Sequence, residues 1–322
     1  MLSTFLYKKD RTLKTDLNRK EMFEAINDPE SFLWVDLQAA TEFESECLVE
    51  IFNFHDLAVE DCITDLSQPK ADDYGDYLFL VMHALDLKGE GEIASVELDI
   101  FLGKNYVVTF HREPIKTVEQ VRDNVSKRPD SYMGYGPDLL VYSLIDQLVD
   151  SYQPAVEHYE SKVDCLEEEI FNTPGKDYLT AIIQAKRDIF HFRRTIYPQR
   201  ETLNNLTRTS NQFIKADHRM YFRDVYDHLF RIYGTIDGLH EALNGILQAY
   251  FSYSSNKLNE IMKRMTVLAT LSMPSVMIAS IYGMNFHNMP ELSHPYGYFG
   301  ALGIMGVTSI GMLIWMKFKK WI

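Results

Sequence analysis

Two long apolar stretches close the chain and set its layout. The segment 256–286 begins polar and charged, then runs apolar over 266–284, and a second apolar stretch covers 297–316. Each is about 20 residues long and free of charged side chains, the length of helix that crosses roughly 30 Å of hydrocarbon. Before 256 the pattern is that of a water-soluble protein. Residues 1–130 predict a mixed α/β domain. The runs 32–37 and 77–82 predict strands, and 93–101 and 106–110 predict two more around a hairpin turn at Gly103-Lys104-Asn105. Helices are expected over 55–65 and 114–127, and Thr41 with Glu44 has the spacing of a capping box.

From 138 the period changes. Val141, Ile145, Leu148, Tyr152, Val156, Tyr159, Val163, Leu166 and Ile170 recur at spacings of three and four, one apolar stripe of a helix. Pro137-Asp138 starts it, Pro154 is expected to kink it, and Asn172-Thr173-Pro174-Gly175 ends it. A second helix over 177–208, with another kink expected at Pro198, should pack antiparallel to the first. From 219 to 284 only Pro274 intervenes, which predicts a helix of sixty-odd residues, roughly 100 Å at 1.5 Å each. Gly234, Gly238 and Gly245 weaken it locally. A helix of that length needs neighbours, so an oligomer is expected. The fold class is an α+β cytosolic domain with a long helical stalk and two C-terminal transmembrane helices. Its expected parts are 1–130 (α/β domain), 131–217 (helical hairpin), 218–284 (stalk continuing into the first span), 285–296 (outer loop), 297–316 (second span) and 317–322 (basic tail).

Charge narrows the function. The formal net charge is −14, which argues against a nucleic-acid partner. The acidic row Glu157, Glu160, Asp164, Glu167, Glu168 and Glu169 is expected to be a solvated helix face, with a cation-attracting surface as the alternative. Only the C-terminal fifth is membrane-like, which excludes a many-span transporter. The first residues lack the apolar core of a signal peptide. Three scattered cysteines, Cys47, Cys62 and Cys165, predict reduced core thiols in a cytosolic compartment. The sequons at Asn124 and Asn205 are expected to be chance matches. Lys257, Lys263 and Arg264 precede the first span, Lys317, Lys319 and Lys320 follow the second, and the loop between has no Lys or Arg. The positive-inside rule puts both flanks, and hence both termini, in the cytoplasm; Trp315 and Trp321 fit an interfacial belt.

Catalytic chemistry finds no support. The chain has no phosphate-binding glycine loop, nucleophile elbow, His-Glu-x-x-His pair or dinucleotide fingerprint. His55, His83 and His111 lack ligand-like spacing and are expected in core or surface roles. The first span offers something else. Asn259, Met262, Met265, Ala269, Met273, Val276, Ser280 and Gly283 share one helical face. A packing surface would look similar, but this face has polar ends around an apolar, Met-rich middle. A ring of first spans would bring it to an axis, where Met and Ala rings form a gate that opens by wetting.

Tyr282-Gly283-Met284-Asn285-Phe286, placed after one span and followed by Met289-Pro290-Glu291-Leu292, a second span and a Lys-rich end, resembles the CorA magnesium channels. The Gly-Met-Asn triplet at this place is that family's signature. Segments at Tyr142-Ser143-Leu144-Ile145-Asp146, Leu57-Ala58-Val59-Glu60-Asp61, Tyr221–His228 and Ser255–Glu260 resemble the family too, so the likeness covers most of the chain. It implies a funnel-shaped homopentamer in the cell inner membrane, passing Mg²⁺, with Co²⁺ and Ni²⁺ as further cargo. Gly283, Met284 and Asn285 would be the selectivity filter. Asn259, Met262, Met265 and Met273, with Ala269, Val276 and Ser280, would line the pore. Asp61 and Asp224 of neighbouring subunits would hold a regulatory Mg²⁺, and Glu291 would be the acidic residue of the outer loop. Val276 departs from the pattern, since a hydroxyl residue can occur there. Two rivals remain: a Zn²⁺ transporter of the same superfamily, which His287 and His294 would suit, and a soluble enzyme or binding module anchored by the hairpin.

Overall fold

The structure is a computed structural model that describes residues 1–39, 48–63, 67–88, 92–172, 178–208, 212–285, 287, 289–290, 294–319 and 321. The Thr41–Glu44 capping box, Cys47, the helix stop at 173–175 and Glu291 lie outside the described residues. The chain divides into two compact units, Met1–Ile246 and Leu247–Ile322.

The first unit is built on a seven-stranded sheet of order β2-β1-β3-β7-β6-β5-β4. Its strands are β1 (Leu2–Tyr7), β2 (Leu13–Thr15), β3 (Phe32–Gln38), β4 (Lys70–Asp73), β5 (Leu78–Lys88), β6 (Glu92–Leu102) and β7 (Tyr106–His111). Among the described residues, only β3 and β7 pair in parallel; the other neighbours are antiparallel. These two central strands are buried on both faces, which explains their near-continuous apolar runs. The β6–β7 turn forms where the sequence places it, with Gly103 N–H donating to Tyr106 O at 2.9 Å. A Cβ on Gly103 would sit 2.3 Å from the Tyr106 ring, so the turn admits no side chain there.

Buried polar side chains on the two central strands, Asp36 on β3 and Thr109 and His111 on β7, meet one another. Trp34 Nε1 donates to Thr109 Oγ1 at 3.1 Å, and Thr109 Oγ1 donates to Asp36 Oδ1 at 2.6 Å. His111 lies 3.3 Å from the same carboxylate. A buried carboxylate without such partners would be costly.

Helices cover both sheet faces. On one side lie α1 (Arg19–Asn27) and α2 (Asp56–Ile63), whose Met22, Ala25, Ala58, Val59 and Cys62 pack on Leu33, Val35, Phe79, Phe101 and Val108. Helix α1 begins with a full capping box from Asn18 and Glu21. On the other side, α3 (Lys116–Lys127) and the short α4 (Pro129–Met133) pack on α5 (Pro137–Asp150), which with α7 (Leu179–Arg208) packs on the sheet. Between α5 and α7 runs α6 (Gln153–Asn172). The sequence predicts one kinked helix through Pro154. Instead the helix breaks at Ser151-Tyr152, and Pro154 falls in the first turn of α6, where its missing N–H costs nothing. All nine residues of the predicted stripe are nonetheless buried. The break lets Tyr152 turn inward, where its hydroxyl donates to His83 O at 2.5 Å; Gln199 Oε1 accepts His83 N–H at 3.1 Å. The acidic row on α6 is exposed or half-exposed. Cys62 is a core thiol, but Cys165, expected in the core, is exposed on α6, because it sits one position before the buried stripe at Leu166.

Cys62 faces two carboxyl groups on β6. Burial, then the neighbouring Glu97, holds Asp99 well above the usual carboxylate range. Burial also raises Glu97, against the Ser67 N–H it accepts. A raised folded pKa means the folded chain binds the proton more tightly than the unfolded one, so this pair favours folding at low pH and opposes it as pH rises through ionisation. Asp99→Asn is therefore expected to raise the unfolding temperature of the full chain at pH 8, by the equivalent of about 1–3 kcal/mol, and to leave it unchanged near pH 5. Thermal unfolding followed at both pH values checks this; equal shifts at both would refute the ionisation account.

Helix α8 (Arg219–Tyr282) is continuous through Gly234, Gly238, Gly245 and Pro274. Within the first unit its stripe Phe222, Val225, Leu229, Ile232, Ile236, Leu239, Leu243 and Ile246 is buried, and α7 lies along it. Lys186 Nζ donates to Asn244 Oδ1 at 2.6 Å, and Arg193 pairs with Asp237 at 3.2 Å. In the second unit no residue of α8 is buried. Helix α9 (Gly297–Phe318) follows it there.

Candidate ion pathway and regulatory site

The second unit holds the helices that are long and apolar enough to cross a membrane, the C-terminal part of α8 and α9. They meet along a narrow seam. On α8 the half-buried positions are Val267, Thr270, Leu271, Pro274, Ser275, Ile278 and Tyr282; on α9 they include Ala301, Met305, Ser309 and Met312, with Met316 buried. Ser275 Oγ and Ser309 Oγ stand 3.4 Å apart in that seam. Small residues let the backbones approach where hydrophobicity alone gives no drive.

Every candidate pore residue lies off this seam. Asn259, Met262, Met265, Ala269, Met273, Val276 and Ser280 are all exposed, with Met273 at 73% and Val276 at 62%. The fold thus leaves the Met-rich face of α8 unpartnered and spends the adjoining face on α9. Leu268 and Met277 are as exposed as the pore candidates, so in one chain exposure does not separate an axial face from a lipid face. The helix stops at Tyr282. Gly283 N–H donates to Ala279 O at 2.9 Å and Met284 N–H to Ile281 O at 3.2 Å, closing the last turn. Gly283, Met284 and Asn285 then stand exposed beyond the helix end.

The two candidate regulatory carboxylates have different surroundings. Asp61, on α2, is held by Lys70 Nζ at 2.6 Å, which also pairs with Asp72 at 3.1 Å. Burial works against the Lys70 charge, but its hydrogen bonds to Asp61 and then Asp72 outweigh this and raise its pKa. Asp224, on α8, is exposed and faces α5. There burial first, then Asp150, then Asp224 raise the Asp146 carboxyl above its ordinary range, while Tyr142 and His228 pull it down. His228 Nδ1 lies 3.2 Å from Asp150. Asp146, Asp150 and Lys70 were not singled out from the sequence. The spacing of Asp146 and Asp150, one helical turn apart, was the available signal; nothing local marked Lys70. The carboxylate donors suit a hard cation such as Mg²⁺. Among the described residues of one chain, no group of three or more His, Cys, Asp or Glu side chains is arranged to hold a metal ion.

The histidines take the roles expected of them: His83 and His111 are buried and His55 is exposed. His294 Nδ1 accepts the Tyr296 N–H at 3.3 Å.

An α/β unit, a 64-residue helix, two apolar helices and a Gly-Met-Asn end together define a class, the two-span metal-ion transporters. The family model for CorA-like Mg²⁺ transporter proteins matches residues 29–320. The chain belongs to that family, one of transporters rather than enzymes, and is a two-span membrane protein. It is 35% identical over 314 residues to the putative metal ion transporter YfjQ of Bacillus subtilis, covering 96% of each. It is 37% identical over 274 residues to the cobalt/magnesium transport protein CorA of Thermotoga maritima, covering 85% of this chain and 78% of the relative. Among solved structures, the CorA magnesium transporter of Methanocaldococcus jannaschii superposes with a TM-score of 0.84 at 19% identity, covering 99% of this chain and 98% of that one. That likeness supports the fold.

Proposed function

We propose that this protein is a channel for passive inward movement of Mg²⁺, and of Co²⁺ and Ni²⁺, closed by intracellular Mg²⁺. The observation that carries the reading is the exposed Gly283-Met284-Asn285 at the end of α8, continuous with an exposed and uncharged face of the same helix. A single two-helix unit encloses no path, so the face works only in a ring; five copies would set it around an axis in the lipid bilayer. Basic residues flanking the two spans, and none between them, support cytoplasmic termini.

The chemistry follows from the ion. Mg²⁺ keeps its waters tenaciously. A ring of neutral amide and carbonyl oxygens, from Asn285 and Gly283, binds the hydrated ion through its waters and still releases it. Glu291 would raise the local cation concentration. Further in, Met273, Ala269, Met265 and Met262 form dry rings that resist a hydrated ion until they are pulled apart. The membrane potential is sufficient drive, at about 2.3 kcal/mol per charge per 100 mV.

Closure would come from Asp61 and Asp224 of adjacent subunits, with Asp146 beside Asp224. Carboxylates brought together repel unless a cation lies between them. When internal Mg²⁺ falls, that repulsion would loosen the ring, and α8, which carries both Asp224 and the Met rings, would pass the change on. Lys70 acts here as a tethered competitor for Asp61. Lys70→Met should let the regulatory ion bind more tightly, lowering the internal Mg²⁺ for half-inhibition about threefold to fivefold, as befits a partly exposed ion pair. A half-inhibiting concentration that stays put or rises removes Lys70 from the mechanism.

The function itself is tested by ion uptake into liposomes holding the purified full chain. Mg²⁺ uptake that follows the membrane potential and ignores a pH gradient supports it. Uptake of Zn²⁺ but not Mg²⁺, driven by a pH gradient, would favour the zinc reading to which His287 and His294 point. Absence of any ion flux would leave the membrane-anchored soluble module.

A further inference from the structure

A pocket in the first unit gathers charge of the wrong sign for this chain. The protein carries 46 acidic and 32 basic residues, yet one cavity of about 370 Å³ is lined by Lys8, Lys9, Arg11, Lys104 and Lys215, with Glu30 the one carboxylate among the described lining residues. The bases come from three separate places: the β1–β2 turn, the β6–β7 turn and the segment before α8. Three of them share the short basic run Lys8-Lys9-Asp10-Arg11, and the fold brings Lys104 and Lys215 to it from distant parts of the chain. Lys9 pairs with Glu30. Lys8, Arg11 and Lys104 have no ion pair among the described residues.

The backbone is shaped to the same end. Arg11 takes a left-handed conformation, φ 64°, and its N–H donates to Lys8 O at 2.9 Å, closing the turn that carries Lys8, Lys9 and Arg11. Gly136 has φ 120°, and a Cβ there would lie 2.8 Å from Lys215 Nζ. The glycine thus leaves the room in which Lys215 reaches Tyr135 O, 2.8 Å away. Helix α5 starts beside it, with Gly136 and Pro137 on the pocket wall, and the buried Asp138 of its first turn fixes the Lys215 backbone by accepting its N–H at 3.1 Å. Tyr135, 63% exposed, lines the same pocket and offers a ring face.

We propose that this pocket binds a nucleoside polyphosphate, its phosphates on the basic side chains and its base against Tyr135. Arg grips phosphate through paired N–H groups and Lys as a point charge. A single phosphate carries at most about two charges; a polyphosphate chain answers five bases better. The volume is in the ordinary range for small-molecule sites, and an aromatic face stacks any base. The net charge of −14 repels a large anion such as a nucleic acid or an anionic bilayer, whereas a pocket-sized anion meets the local field, since screening confines charge effects to about 8 Å. The site is independent of the transport reading.

The test is binding to the full chain in detergent, stripped of metal with EDTA and held at physiological salt, measured by calorimetry. The probes are ATP, inorganic tripolyphosphate and adenosine. ATP and tripolyphosphate should bind with sub-millimolar dissociation constants and adenosine should not. Arg11→Glu with Lys104→Glu, both exposed and away from the core, should weaken ATP and tripolyphosphate by at least about tenfold. Tyr135→Ala should weaken ATP about fivefold or more and leave tripolyphosphate unchanged. No saturable ATP binding, or ATP binding that ignores the double reversal, overturns the site. Binding of single-stranded RNA or anionic vesicles in place of ATP overturns it as well. ATP binding that ignores Tyr135→Ala overturns the nucleoside assignment.

Discussion

Asn285→Ala is expected to cut Mg²⁺ uptake into liposomes by at least about a hundredfold, while assembly and thermal stability stay unchanged. The two halves of that statement have different grounds. Stability should hold because Asn285 stands exposed beyond the last turn of α8, whose end is closed by the N–H groups of Gly283 and Met284 rather than by the asparagine side chain. Flux should fall because the proposed filter is a ring. One substitution in the chain removes every amide of that ring at once. Each outer-shell hydrogen bond to a hydrated cation is worth roughly 0.5–1.5 kcal/mol. At about 1 kcal/mol each, the loss of five exceeds the roughly 2.7 kcal/mol that a hundredfold change requires. Uptake read with an internal Mg²⁺ dye at fixed membrane potential measures it. Flux within threefold of the unaltered protein would remove Asn285 from the filter. The same preparation separates this outcome from misassembly, because oligomer size and unfolding temperature are read on the same sample.

How far the sequence carried these assignments varies with the physics of each element. The two spans were legible because hydrocarbon demands about 20 uncharged residues, a demand few other structures imitate. The stripe from Val141 to Ile170 was legible because burial on one helix face imposes its spacing. It did not reveal the break at Ser151-Tyr152, since two helices in line bury the same stripe as one. Strands β3, β5, β6 and β7 were visible as apolar runs. Strands β1, β2 and β4 were missed: β2 has only three residues and β4 reads Lys-Ala-Asp-Asp, half-buried at most. Helix α1 was missed even though Asn18 and Glu21 have the capping spacing. The candidate pore face could be drawn from spacing alone, whereas the face that α9 takes could not, since no pattern within α8 marks it. Lys70 and the basic pocket were beyond reach for a common reason. Each is made by residues brought together from separate turns and strands, and the sheet order that does this was not derivable from the strands themselves.

Asp224→Lys is expected to make transport nearly indifferent to internal Mg²⁺, shifting the concentration for half-inhibition upward by more than tenfold or abolishing inhibition. Asp224 is exposed on α8, close enough to Asp146 on α5 to raise its carboxyl, and Asp150 acts on the same Asp146. A divalent cation entering there would meet converging negative charge. Exchange of one carboxylate for an ammonium removes a ligand and adds a repelling charge, a change of two units. At about 4 Å and an effective dielectric near 20, each unit interacts by roughly 4 kcal/mol with its neighbour, and even a small fraction of that exceeds the 1.4 kcal/mol of a tenfold shift. The direction of basal flux is a separate matter, because the new ammonium would itself pair with Asp146 and could hold the ring in place of Mg²⁺. Sensitivity is therefore the readout. Flux is measured against internal Mg²⁺ from micromolar to millimolar in liposomes loaded at each level, and the slope is compared with that of the unaltered chain. Asp224 is outside the buried stripe of α8 that runs from Phe222 through Val225 to Ile246, so the fold should tolerate the change. An inhibition curve superimposable on that of the unaltered protein would show that the cation responsible for closure binds elsewhere, and the pairing of Asp61 with Asp224 would fall with it.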